Sequence, residues 1–208
     1  MIAFRQLRSA PCLPRLLLVS VLLAAACPAA ACAGAQQAPA PTLVELLATS
    51  DRGDAFDRSF RVRVHSDGCL ALRRPAFHRE PGEHVGTLDA AALQGVQSLA
   101  AQPALRAIDP AAALVRAQLA FAQAGLAEVG ADAPPRATFV SHPTWYRLRF
   151  FDAAGEVTHE LRMESILQHA ELHPQDPQLA TLAAAVRQLL ELAETTPTQA
   201  RNAAEPQP

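Results

Sequence analysis

Twice in this chain a run of alternating apolar and polar residues meets a glycine-containing turn and returns, and that recurrence limits the fold more than any other feature. Phe60, Val62 and Val64 alternate with Arg61, Arg63 and His65; Ser66-Asp67-Gly68 turns; Leu70 and Leu72 carry the apolar face back. Trp145 to Phe151 alternates likewise, Asp152-Ala153-Ala154-Gly155 turns, and Val157 to Met163 returns. A period of two places alternate side chains on opposite faces of a strand, and glycine accepts the positive φ of a tight turn. Two β-hairpins are therefore predicted.

Helical patterns follow each hairpin. Thr87 is read as the cap of a helix with an inner stripe of Leu88, Ala92, Val96 and Leu99, ending before Pro103. Asp109-Pro110 opens a second helix, running to Gly125, because a capping acid followed by proline at the first helical position suits a helix start. Asp176-Pro177 opens the third, whose apolar face is Leu179, Leu182, Ala183, Val186, Leu189, Leu190 and Ala193. Thr42 to Ala48 reads as an edge strand, Pro75 to Gly86 as a long connection, Ser50 to Arg58 as a loop and Ala137 to Val140 as a short strand. The expected fold is α+β: one antiparallel sheet built from two β-hairpins, with helices packed on one face. Residues 42–194 form one domain, after an Ala/Pro linker at 36–41 and before a disordered tail at 195–208.

Residues 1–35 read as an export signal. Arg5, Arg8 and Arg15 give a basic start, Leu16 to Ala26 is an apolar core too short for a permanent span, and small residues follow. Cleavage after Ala33-Gly34-Ala35 releases a free protein beginning at Gln36. Lipidation at Cys27 or Cys32 anchors it instead, and then only the lipid touches the membrane. Release at Gln36 leaves Cys69 as a single thiol, whereas lipidation at Cys27 permits a Cys32–Cys69 bond. The expected location is periplasmic or secreted, in a Gram-negative type of envelope.

Charge and composition narrow the chemistry. The chain carries a formal charge of −2, and losing the three arginines of the signal makes the remainder more acidic, which argues against a nucleic-acid partner. Every basic residue is Arg and none is Lys. This excludes a Walker phosphate loop, a Schiff base and a Ser-Lys pair. No nucleophile elbow or dinucleotide-binding glycine pattern occurs, and no cofactor is implied.

Four groups of residues carry possible chemistry. Alternation sets Arg61, Arg63 and His65 on the side opposite Phe60, Val62 and Val64, and Trp145, Arg147, Arg149 and Phe151 on the side opposite Tyr146, Leu148 and Phe150. If both hairpins share a sheet, these arginines and aromatics converge on a face that helices leave open, unless Glu160 and other acids pair with them across strands. His169 and His173, four apart, would share a helix face as weak metal-ligand candidates, but Pro174 ends such a helix and the order is not His-Glu-x-x-His. His65 and Cys69 flank the first turn and face each other, and His78, Glu80, Glu83 and His84 cluster in the connection from Ala76 to Gly86.

The Asp67-Gly68 hairpin and the order of elements from Leu43 to Leu192 resemble small exported bacterial α+β domains of unknown function, although the Cys-Gly-x-Cys-Pro signature associated with them is absent from Ser50 to Phe60. A similar order occurs in small proteinaceous inhibitors of thermolysin-like proteinases, whose glycine-rich opening is missing here. The leading expectation is a non-catalytic envelope or secreted protein that binds a protein or an anionic envelope component through the Arg/aromatic sheet face. An inhibitor of a secreted hydrolase, with Arg74 to Gly86 as its projecting loop, and a metal-dependent hydrolase using His169 and His173 are the alternatives.

Overall fold

The computed structural model describes residues 40–50, 59–129 and 143–200, and side chains within these except 124–129. The export segment with Cys27 and Cys32, most of the linker and of the loop after Ser50, the strand expected at Ala137 to Val140, and the tail from residue 201 lie outside the described residues.

The protein is α+β, with one open antiparallel sheet of seven strands in the order β6-β5-β1-β2-β3-β4-β7. Both predicted hairpins form. Strands β2 (Ser59–His65) and β3 (Cys69–Arg74) join through Gly68 at φ 84°, and β5 (Thr144–Phe151) and β6 (Val157–Glu164) through Gly155 at φ 83°. Between the hairpins lies β1 (Thr42–Ser50), antiparallel to β2 and to β5. The edge position expected for Thr42 to Ala48 is thus corrected. Its apolar run, Leu43, Val44, Leu46 and Leu47, has too few of the charges or prolines that protect an edge and suits a strand flanked on both sides.

The connection expected after β3 contains a further strand, β4 (Gly82–Thr87). Gly86 can sit in it because the backbone of the next strand comes close: a Cβ there would lie 2.7 Å from the Pro197 carbonyl oxygen. That next strand is β7 (Thr198–Ala200), so the first residues of the polar tail are ordered against β4.

Helices α1 (Ala90–Ala101), α3 (Pro110–Val129) and α5 (Pro177–Thr195) cover one face, with short α2 (Pro103–Arg106) and α4 (Ile166–Leu172) between elements. Asp89, not Thr87, caps α1, its Oδ1 accepting the Ala92 N–H at 2.7 Å. Asp109 and Asp176 cap α3 and α5 as their Asp-Pro pairs predict, accepting from Ala112, Gln178 and Leu179. Helix α3 runs past Gly125, and α4 occupies a stretch expected as loop. The core joins Val44, Leu46, Val62, Val64, Leu70, Leu72, Leu148, Phe150, Leu161 and Met163 of the sheet to Val96, Leu99, Ala113, Ala117, Leu179, Leu182, Val186 and Leu189 of the helices. Truncating one of these leucines to alanine costs about 2–5 kcal/mol.

Candidate functional site

The sheet face that no described helix covers brings together all five residues predicted for it: Arg61, Arg63, Trp145, Arg147 and Arg149. Strand β1 makes this possible. Glu45 pairs in register with Arg63 on one side and Arg149 on the other, and Leu47 with Arg61 and Arg147. Two further arginines join them, Arg73 opposite Arg61 and Arg162 opposite Arg147. Carrying the same alternation through the returning strands would have found both.

Acidic residues divide the face into two kinds of site. Glu45 is 3 % exposed although it points away from the helices, because the arginines beside it cover it. Its Oε2 accepts the Arg63 Nε at 2.5 Å, and its Oε1 lies 3.8 Å from Arg149. Arg149 also donates to Glu160 Oε2 at 2.6 Å. Glu83 lies 3.2 Å from Arg73 and 3.6 Å from Arg61. Arg63 and Arg149 therefore belong to ion pairs that knit adjacent strands, and Arg61 to one that reaches across β3 to β4, as the acidic alternative anticipated for Glu160.

Arg147 and Arg162 differ. They stand directly opposite each other across β5 and β6, a like-charged arrangement that costs stability. Neither has an ion-pair partner among the described residues, and the Arg147 Nε is buried with no hydrogen-bond partner. The Arg162 guanidinium lies 5.0 Å from the Trp145 ring centroid, a cation–π contact that holds it over the face. Two forked donors stand beside an aromatic plane and Leu47, a donor set whose geometry matches carboxylate or phosphate oxygens.

The histidines lie elsewhere. His169, in α4, and His173, its C-cap, are brought together behind the sheet at 7 % and 6 % exposure. Their rings stack with centroids 6.3 Å apart, and Phe121 of α3 meets His173 edge-on at 5.7 Å. Burial and the neighbouring His173 push the His169 pKa down, with Glu164 opposing. Among the described residues no third His, Cys, Asp or Glu groups with them to hold a metal ion.

His65 ends β2 and Cys69 begins β3, next to the paired Val64 and Leu70, and the His65 Nδ1 is hydrogen-bonded to the Ala40 carbonyl at 2.8 Å. In the β3–β4 connection Glu80 pairs with Arg74 at 2.6 Å, His78 Nδ1 accepts the Glu80 N–H, and His84 is buried with Nε2 on the Glu80 carbonyl. These residues rigidify a loop whose tip carries Phe77, 73 % exposed. Phe77 also borders an open cleft of about 350 Å³ on the helical side, with Phe60, Pro75, Leu190 and Ala193 along its walls.

No helix among the described residues is long and apolar enough to cross a membrane. In comparisons with family models, curated proteins and solved structures, nothing matches the chain.

Proposed function

We propose that this is an exported, non-catalytic binding protein that captures an acidic segment of another protein on its open sheet face. Arg147, Arg162 and Trp145 receive the carboxylates. The observation that carries the reading is the unneutralised Arg147–Arg162 pair, held in register across β5 and β6 while the surrounding arginines are matched by glutamates. Two opposed cations cost stability in isolation, and an anion bound between them reverses that cost. The other arginines set the geometry of the face.

A glutamate-rich peptide measured by calorimetry tests this. Binding should weaken with added salt and fall about tenfold or more in the double variant Arg147→Gln/Arg162→Gln, since charge-assisted bonds contribute about 1.5–3 kcal/mol each. Arg74→Gln, on the helical side, should leave it unchanged. Failure of the wild type to bind the peptide, or equal binding by the double variant, rejects the reading. Binding to anionic vesicles but not to the peptide would reassign the partner to a lipid surface.

A second reading rests on the β3–β4 loop. Its internal bonds and exposed Phe77 match a rigid projecting segment of the kind an inhibitor of a secreted hydrolase inserts into a cleft. Stoichiometric inhibition of an exported hydrolase, lost in Phe77→Ala, would support it. A panel of such enzymes left uninhibited would end it.

A further inference from the structure

We propose that the chain pairs with a second copy of itself edge to edge along β6, in the register that sets Leu161 opposite its own counterpart. The sheet ends at β6 on one side and at the three-residue β7 on the other. Only β6 offers a long edge: eight residues, Val157–Glu164, without proline, and with no strand beyond it among the described residues. Val157 is 46 % exposed. An open edge of this length is a template for another strand.

The hydrogen-bond phase shows which groups the edge presents. The Ser165 N–H donates to the Thr144 carbonyl at 2.7 Å, and Glu164 stands opposite Trp145. In an antiparallel ladder bonded and non-bonded pairs alternate, so Met163, Leu161 and His159 turn their backbone groups towards β5. Glu160, Arg162 and Glu164 turn theirs outwards, up to the register shift between Phe150 and Phe151.

Charge then selects the register. A two-fold axis perpendicular to the sheet pairs residues whose numbers sum to a constant. Centring it on Leu161 sets Glu160 opposite Arg162 of the second copy, and Arg162 opposite the second copy's Glu160. Both pairs fall at positions whose backbone groups point outwards, so the charges meet where the new hydrogen bonds form. Centring on Glu160 or on Arg162 opposes like charges on the axis. Centring on Met163 also sets Arg162 opposite Glu164, but it overlaps the two strands only from Arg162 to Glu164, so the Leu161 register is the self-complementary one that pairs most of β6, as an isologous interface requires. Both copies then keep their helices on one side and join their arginine faces on the other, and the second copy's Glu160 partly neutralises Arg162, so self-association and capture of an acidic segment compete for that guanidinium.

The experiment is a charge exchange read by sedimentation over a concentration series, with circular dichroism reporting the fold of each variant. The wild type should dimerise. Glu160→Arg makes both positions basic, Arg162→Glu makes both acidic, and each alone should weaken self-association about tenfold or more. The double variant Glu160→Arg/Arg162→Glu should dimerise again. An equimolar mixture of the two single variants should form a heterodimer, since every Arg then faces a Glu, and this cannot follow from a merely damaged strand. A wild type that stays monomeric up to hundreds of micromolar, or single variants that dimerise as the wild type does, would overturn the proposal.

Discussion

Glu45, in the middle of β1, accepts a hydrogen bond from Arg63 of β2 at 2.5 Å while its other carboxylate oxygen faces Arg149 of β5. One acid thereby ties the two hairpins across the strand that joins them. Its carboxylate is almost wholly covered, so removing the charge leaves the Arg63 guanidinium beside an uncharged group, while Arg149 keeps Glu160. Glu45→Gln should lower unfolding stability by about 1–2 kcal/mol. That is less than a fully buried pair would lose, because the arginines keep partial access to water. Urea titration with an unchanged slope checks this, and a variant as stable as the wild type would show that the pair contributes only register.

How much of this was legible in the sequence follows from what a period can encode. Alternation and a glycine turn define each hairpin from its own residues, so Phe60 to Leu72 and Trp145 to Met163 were readable. The place of β1 was not, because an apolar run does not name its neighbours. With β1 unplaced, the sharing of Glu45 between Arg63 and Arg149 could not be foreseen. Strand β4 was hidden by Pro81, Gly82 and Gly86, residues that ordinarily break strands, and β7 has no apolar pattern because backbone pairing with β4 holds it. The arginine face was readable as a face. Which arginines were neutralised depended on cross-strand register, a tertiary property.

The stacked His169–His173 pair predicts acid sensitivity. Burial lowers the His169 pKa below its ordinary 6.5, and His173 adds to this against the opposing charge of Glu164. A histidine whose folded value is depressed binds fewer protons folded than unfolded, so its contribution to stability is intact at neutral pH. That contribution declines as pH falls below 6.5, and the decline ends only below the lowered folded value. Chemical denaturation from about pH 7.5 to 5 should show this slope in the wild type and a shallower one in His169→Leu, which also removes a buried Nδ1 without a partner among the described residues. Parallel slopes would remove His169 from the acid response.

Gly86 should be intolerant of a side chain for a reason confined to β7. The Pro197 carbonyl oxygen, 2.7 Å from an added Cβ, is backbone and cannot swing aside, and the Thr196 and Thr198 methyls crowd the same space. Gly86→Ala should therefore detach β7 from β4 while leaving the other strands paired. Amide exchange measured by NMR would show Thr198 to Ala200 losing protection and Leu70 to Leu72 keeping theirs, at a global cost of about 1 kcal/mol or less. Loss of protection across the whole sheet would instead make β7 part of the cooperative core.

Ser165, between β6 and α4, is the one described non-glycine residue at positive φ, with φ 48° and ψ 38°. The left-handed region costs an L-residue roughly 1–2 kcal/mol. The side chain does not repay that cost: Ser165 is fully buried, its Oγ has no hydrogen-bond partner among the described residues, and it makes no capping bond to α4. What fixes the conformation is the backbone, whose N–H donates to Thr144 and whose carbonyl accepts from His169. Ser165→Gly keeps both bonds, relieves the strain and removes the orphan hydroxyl, against about 0.5–1 kcal/mol of added freedom in the unfolded chain. The balance favours the variant by up to about 1 kcal/mol. Ser165→Val, which meets the same φ with a branched Cβ, should lose about 2 kcal/mol or more. Urea midpoints ordered Gly, Ser, Val from most to least stable would establish that the turn is held by its backbone. A glycine variant less stable than the wild type would mean that the serine side chain contributes packing that outweighs the strain.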